Sequence, residues 1–214
     1  MSLTLYLHPL SSYCHKVLIA LYEAGIEFEP HLVDLQAAAP REQFLEIWPM
    51  GQFPVLRDHA RGITLPESSI IIEYLAQHYP GAASLVPPPP ALALETRLRD
   101  RFFDLHIHQH MQKIMGDALR PAGANDPMGV EHAGARMRTA YELLDQLMGS
   151  RTWANGAQFS MADCAAAPAL FYANRLQPLA RHPNVAAYLE RLQARPAYAR
   201  VLAEAKPYFH MLPR

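Results

Sequence analysis

The sequence predicts an α/β domain followed by an all-helical domain. Up to about residue 81, short apolar strands and amphipathic helices follow one another in the order β-α-β-α-β-β-α. A run of four prolines, 87–90, then stiffens the chain, and beyond it apolar residues recur at helical spacing. We therefore predict an N-terminal domain over 1–81, a linker over 82–90 and a helical domain over 91–214.

The first half of the N-terminal domain reads as two strand-helix units. Residues 3–7 alternate as a strand, and residues 13–25 carry apolar side chains at helical spacing up to a terminating glycine. Residues 26–35 alternate again, and residues 40–49 form a short helix that ends at a proline.

The second half reads as a hairpin and a helix. Residues 53–56 and 63–65 are short strand patterns joined by a turn over 59–62. The stretch "PESSIIIEYLAQHYP", residues 66–80, has a proline at each end and small hydroxyls in its first turn, which indicates a helix.

The C-terminal domain contains no convincing strand pattern. Its apolar spacing predicts helices over 92–115, 129–148, 161–176, 185–194 and 197–206.

Composition excludes several classes of function. The 214 residues are 50% hydrophobic, and 19 Lys and Arg against 20 Asp and Glu give a net charge of −1. No basic cluster indicates binding to nucleic acid or to a membrane surface, and no apolar run is long enough to span one. The N-terminus does not resemble a signal peptide, and the two cysteines, Cys14 and Cys164, form no disulfide pattern, so we expect a cytoplasmic protein.

The junction "HPLSSYC" is the first candidate site. A helix that starts near Ser11 to Tyr13 presents free N–H groups and the positive end of its dipole, which favour an anion such as a thiolate. Serine is also a preferred N-cap, so Ser11 or Ser12 could equally serve only to cap the helix.

Two further stretches suggest binding of a peptide-like ligand. Pro54 suits an edge strand, a bulge or a cis bond, and a cis bond leaves the backbone of Val55 free to pair with an extended ligand. At Glu67 and Ser68 a helix N-terminus could hold a carboxylate while Glu67 faces an ammonium group. Each stretch also has a structural interpretation, as an edge-strand proline and as a well-capped helix start.

Together these motifs resemble a known family. "HPLSSYCHKVLIAL", "GQFPVL", "LPESSIIIEYLAQHYP", the proline linker and the helices are similar, over nearly the whole chain, to a glutathione transferase with a thioredoxin-like N-terminal domain. In the serine-type theta and zeta classes the catalytic hydroxyl stands six residues before the helix valine. Val17 places it at Ser11, with Ser12 as second choice.

The resemblance implies glutathione as co-substrate and no metal. Pro54 then corresponds to the family's cis-proline, Val55 bonds the cysteinyl part through its backbone, and Glu67 with Ser68 holds the γ-glutamyl group. Many relatives have Asn-Pro-x-Gly-Lys where this chain has "WPMGQFP", so an uncharged Gln52 replaces a lysine near the glycyl end.

A second family-like stretch, "FSMADCAAAP", has a structural explanation. Ser160 and Asp163 have the spacing of a capping box, and Phe159 that of a hydrophobic staple.

Ser11 is expected to donate a hydrogen bond to the glutathione thiolate rather than to act as a nucleophile. Such a bond and the helix start lower a thiol pKa by about one to two units. Cys14, three residues further on, is an alternative reactive group, although free cysteines are usually buried and inert. Tyr6 is a third, weaker candidate.

The electrophile is expected to bind between the domains, against the helix "RFFDLHIHQHMQKIM". His106 and His110 have metal-ligand spacing but no convincing further ligand, so we interpret them as exposed or pocket-lining residues; a Met and Phe stripe could instead be core. The predicted pocket residues are Leu10, Tyr13, His106, His110, Met111 and Met115.

The predicted function is glutathione transfer to a small hydrophobic electrophile. One alternative is a glutathione-dependent isomerase of the zeta, maleylacetoacetate isomerase, type, for which only Arg120, Arg175 and Arg181 are plausible dicarboxylate ligands. The other is a non-catalytic binding or stress-regulatory module on the same scaffold. The family resemblance also implies a homodimer.

Overall fold

The computed structural model describes residues 2–34 and 37–212 and has a four-stranded sheet in its N-terminal part. In spatial order the strands are β2 (Glu29–Leu32), β1 (Leu3–Leu7), β3 (Val55–Asp58) and β4 (Ile63–Pro66). β2 runs parallel to β1, which requires a crossover, and helix α1 (Ser12–Glu23) supplies it. β3 is antiparallel to both β1 and β4. The predicted thioredoxin-like domain is confirmed.

Two more helices, α2 (Ala38–Ile47) and α3 (Ser68–His78), complete this part. β3 begins two residues later than predicted because Pro54, which has no N–H group, precedes it. The second strand is shorter than the predicted 26–35, and Leu35 lies outside the described residues.

The remainder of the described chain is helical, as predicted. A turn of 3₁₀-helix, Pro80–Leu85, leads to α4. The further helices are α4 (Pro90–Phe102), α5 (Gln109–Ala118), α6 (Pro127–Met148), α7 (Met161–Leu176), α8 (Pro183–Ala194) and α9 (Pro196–Ala205).

The predicted helix over 92–115 differs from the observed one in an instructive way. The observed helix begins two residues earlier, at Pro90, because a proline fits the first helical position, where no N–H bond is lost. Between α4 and α5 the chain stays helical but widens into a π-helical segment, Phe103–His108. Such widened turns occur frequently at functional sites.

One hydrophobic core extends through both parts. Buried Leu5 and Ile19 of the first part belong to the same cluster as Phe103, Tyr141 and Leu170 of the helical part. α1 packs against α7 and α9, and α7 in turn packs against the π-helical segment. In the described ranges no helix combines the length and the apolar character needed to cross a bilayer.

Candidate active site

Ser11 is the N-cap residue of α1. Its backbone is extended, with φ −73° and ψ 115°, and its Oγ accepts a hydrogen bond from the Cys14 N–H at 3.3 Å. Because a hydroxyl has two acceptor lone pairs and one proton, the capping bond leaves the Ser11 proton available for another partner. The capping role and the donor role are therefore compatible at this residue.

A cavity of about 540 Å³ between the two parts of the molecule opens onto Ser11. The predicted residues Gln52, Pro54, Glu67 and Ser68 line the same cavity, whereas Ser12 and Val55 do not. The helical part contributes Arg101, Asp104, Leu105, Gln109 and Gln112.

The strand proline has the predicted cis geometry. The Phe53–Pro54 peptide bond is cis, and buried Val55 follows as the first residue of β3. Val55 lies between Tyr6 of β1 on one side and Pro66 of β4, which has no N–H, on the other.

The start of α3 has an unusual backbone. Exposed Glu67 is the N-cap residue with φ 70° and ψ 112°, a left-handed conformation that costs a non-glycine residue about 1–3 kcal/mol and is typical of ligand sites. The Glu67 side chain makes no capping bond to α3, and buried Ser68 is the first helical residue. The Glu67 side chain therefore leaves the first N–H groups of α3 open. A helix start that binds an anion needs such open N–H groups.

Ser12, the second predicted catalytic hydroxyl, points toward the helical part. Its Oγ lies 2.5 Å from His108 Nε2, and both side chains are buried. The Tyr13 ring stacks on the His108 ring with 3.9 Å between centroids. Burial, together with the charge of Lys16, lowers the pKa of His108 to about 3, so its imidazole is neutral. Sequence reasoning missed this histidine.

The other candidate nucleophiles are withdrawn from the cavity. Cys14 is buried, as predicted, and this burial raises the pKa of its thiol to about 12, which keeps it protonated. The Tyr6 ring lies tilted against the rings of His31 and Phe44, beside α2.

The predicted electrophile pocket requires correction. Of its proposed residues Tyr13 lines the cavity, and Met111 is wrong because it is 1% exposed in the hydrophobic core. The π-helical segment has more residues per turn than an α-helix and therefore rotates the side chains that follow it about the helix axis. As a result Leu105 and Gln109 line the cavity. The other proposed residues do not line it: Leu10, His106, His110 and Met115. Among the described residues, no group of three or more His, Cys, Asp or Glu side chains could hold a metal ion.

A buried charge cluster lies next to the cavity. Lys16 Nζ of α1 is 2.6 Å from Asp100 Oδ1 and 2.9 Å from Asp104 Oδ2, and it donates to Ser69 Oγ at 2.8 Å. Arg101 pairs with both carboxylates from the cavity side. Burial raises the pKa of Asp104 despite these cations. The cluster ties α1, α3 and α4 together, and the sequence pattern did not predict it.

A second cavity, of about 620 Å³, lies between α1, β2 and α9. It is larger, but none of the predicted catalytic or glutathione-binding residues line it. The smaller cavity is the better candidate because, unlike the larger one, it joins the two helix starts and the cis-proline.

Comparison with known proteins identifies the family. The profiles described as "Glutathione S-transferase, N-terminal domain" and "Glutathione S-transferase, C-terminal domain" match residues 5–83 and 127–191. "Glutathione S-transferase 3" of Zea mays is 31% identical over 209 residues, covering 94% of this chain and 93% of that protein. "Stringent starvation protein A homolog" of Haemophilus influenzae is 30% identical over 210 residues, covering 96% and 92%.

A solved structure is also similar over nearly its whole length. A glutathione S-transferase of Methylobacterium radiotolerans, in complex with glutathione sulfonate, has a TM-score of 0.81 and 28% identity, and the match covers 93% of each chain. The chain described here belongs to the glutathione S-transferase family.

Proposed function

We propose that this protein is a glutathione transferase that holds glutathione as a thiolate for attack on a small electrophile. The observation that carries the proposal is the shared cavity, in which Ser11 at the start of α1 faces Pro54, Glu67 and Ser68. A relative of known structure was solved with glutathione sulfonate, which supports glutathione as the ligand.

Glutathione is proposed to extend across this cavity. Its sulfur lies at Ser11, its cysteinyl backbone beside Pro54, directly before the buried Val55, and its γ-glutamyl group at Glu67 and Ser68, where an uncapped helix start suits the carboxylate. Gln52, exposed at the cavity edge, is left for the glycyl carboxylate.

Ser11 is proposed to stabilise the thiolate by hydrogen bonding. Its Oγ already accepts from the Cys14 N–H, so its proton can be donated to the sulfur. A fall of one to two units in the thiol pKa corresponds to about 1.4–2.7 kcal/mol of preference for the anion. The thiolate then attacks the electrophile, and no covalent bond to the protein is formed.

The cavity wall indicates a more polar electrophile than the sequence predicted. Tyr13 and Leu105 offer apolar surface, but Gln109 and Gln112 offer amides in place of the expected methionines. We propose an electrophile with a small apolar body and a hydrogen-bonding group such as a carbonyl.

The test is glutathione binding by calorimetry, together with the thiolate absorbance of the complex against pH. Ser11→Ala should leave glutathione bound and raise the pKa of the bound thiol by about one to two units. Ser160→Ala, at a serine N-cap that does not line the cavity, is the matched control and should leave that pKa unchanged. An unchanged thiol pKa in Ser11→Ala contradicts the proposed role of Ser11.

A non-catalytic binding protein is the second candidate, because a stringent starvation protein A homolog is as similar as the transferases. Glutathione binding without thiol ionisation or turnover would favour it. The isomerase alternative has less support, since Arg120, Arg175 and Arg181 do not line the cavity and Arg101 is paired with two carboxylates.

We also propose a homodimer formed through α3 and α4. Ile70 of α3 and Leu94 and Leu98 of α4 are large apolar side chains that are at least half exposed in the single chain. Leu98→Glu should convert the dimer to a monomer in light scattering. Leu143→Glu, the same substitution at a similarly exposed leucine of α6, should not.

A further inference from the structure

A histidine of the helical part contacts the first turn of α1 at two points. His108 is 1% exposed and lies at the end of the π-helical segment, and its Nε2 is 2.5 Å from Ser12 Oγ. Its ring also stacks on Tyr13, with 25° between the planes. His108 therefore holds the two residues that directly follow Ser11, and one of them, Tyr13, lines the cavity.

We propose that His108 is a positioning residue for the glutathione thiolate. By holding Ser12 and Tyr13 it fixes the first turn of α1, and so aims the Ser11 hydroxyl and the free N–H groups of that turn at the sulfur. The inference rests on the proposed function and goes beyond it, because it makes activation of the thiol depend on the helical part.

The environment of His108 suits a fixed, uncharged partner. Tyr13 covers one face of its ring, and Lys16 is the cation that acts on it; burial lowers the pKa of the nearby His15 to about 4, so that imidazole is neutral. Its low pKa keeps it neutral, with one N–H and one lone pair, at any pH where the thiol ionises. It therefore bonds the Ser12 hydroxyl without a charge and is not a general base for glutathione.

The geometry explains why two adjacent serines have different roles. Ser12 is buried and its Oγ is engaged by His108, whereas Ser11 is only partly buried and lines the cavity. Gln112 Nε2 lies 3.4 Å from His108 Nε2, and Gln112 lines the cavity. His108 therefore also contacts the cavity wall of the helical part.

A pair of substitutions separates the hydrogen bond from the stacking. His108→Phe keeps a ring against Tyr13 but cannot bond Ser12, whereas His108→Gln keeps a polar group within reach of Ser12. In His108→Phe we expect the pKa of the bound glutathione thiol to rise by about one unit, with kcat/KM at neutral pH about tenfold lower and KM for glutathione little changed. His108→Gln should recover most of this loss.

The Ser12→Ala variant completes a double-mutant cycle. If the two side chains act together, Ser12→Ala with His108→Phe should raise the thiol pKa no more than the larger single change. In His108→Phe the buried Ser12 hydroxyl loses its partner, and this variant could fail to fold. The double variant removes both polar groups and leaves neither buried partner unpaired, so it still tests the proposal.

Two results distinguish the failure of this inference from the failure of the proposed function. If native protein binds no glutathione in calorimetry, the proposed function fails. If it binds and ionises glutathione, but Ser12→Ala and the double variant lower only the melting temperature and leave the thiol pKa and pH profile unchanged, His108 is merely structural and the inference is overturned.

Discussion

Helices α1 and α7 both begin after a serine, yet the two serines are used differently. At α1, Ser11 is partly exposed, and its Oγ accepts a bond from the Cys14 N–H. At α7, Ser160 is 1% exposed, and both its N–H and its hydroxyl donate to Asp163 Oδ2, at 2.9 and 3.1 Å. Both helices thus have a serine N-cap, but only at α7 does the serine hydroxyl donate to a carboxylate of the first turn.

The difference shows what makes a helix start a candidate site. At α7 a buried carboxylate takes the serine proton and satisfies the turn from within, so no capacity is left for a ligand. At α1 the first turn has no carboxylate, and Ser11 lines a cavity. A capping serine is thus open to function when no internal carboxylate takes its proton.

The largest expected effect is on folding, at the start of α7. Asp163 accepts from the Ala154 N–H, the Ser160 N–H and the Tyr188 hydroxyl, at 2.6–2.9 Å. Asp163→Ala leaves these buried donors without an acceptor, at about 1–3 kcal/mol each, so we expect a loss of at least about 3 kcal/mol in the free energy of unfolding. Urea denaturation measures it.

The control for this substitution is Asp126→Ala. Asp126 is the partly exposed N-cap residue of α6, where it accepts from the Gly129 N–H and pairs with Lys113. Loss of such a cap costs about 1 kcal/mol. An equal effect of the two substitutions would show that Asp163 is no more than an ordinary cap.

The next effects compare the two serines, one in stability and the other in turnover. Ser160→Ala should lower the free energy of unfolding by about 1 kcal/mol and leave glutathione turnover unchanged, because only a buried structural bond is lost. Ser11→Ala should lower kcat/KM about 10- to 100-fold, as expected for one to two units of thiol pKa, with a similar small loss of stability. A comparable loss of turnover in both variants would remove the distinction drawn between the two helix starts.

The parts of the site that could be predicted from the sequence have local signals. The helix starts indicated Ser11 or Ser12 and Glu67, and a proline before a strand made Pro54 conspicuous; the family resemblance then selected Ser11. The bounds of α7 followed from its spacing and capping residues alone.

The parts that could not be predicted depend on contacts distant in sequence. Ser12 meets His108 across 96 positions, and Lys16 meets Asp104 across 88, so neither pairing has a local pattern. The π-helical segment shifts the face that meets the cavity, which is why regular helical spacing placed Met111 there wrongly. A single sequence shows that helices are amphipathic but not which partner each face meets.

A smaller effect is expected where the cavity departs from the family pattern. Gln52 is exposed at the cavity edge, so Gln52→Lys adds a charge near the proposed glycyl carboxylate without disturbing the core. An exposed ion pair contributes about 0.2–1 kcal/mol, so the Kd for glutathione in calorimetry should fall by a factor of about 1.4 to 5, and less at high salt. Gln158→Lys, equally exposed but beside α7, should not change it; a fall in both would indicate a nonspecific charge effect.

The smallest expected effect on the reaction concerns the two cysteines. Cys14 follows Ser11 by three residues and Cys164 follows Ser160 by four, and both are fully buried with thiol pKa values raised by that burial. Since a protonated, buried thiol is a poor nucleophile, Cys14→Ala and Cys164→Ala should both retain native kcat/KM for glutathione transfer. If Cys14→Ala alone abolishes turnover while glutathione still binds, the reactive sulfur belongs to the protein, and Ser11 acts at α1 as Ser160 does at α7, as a structural residue.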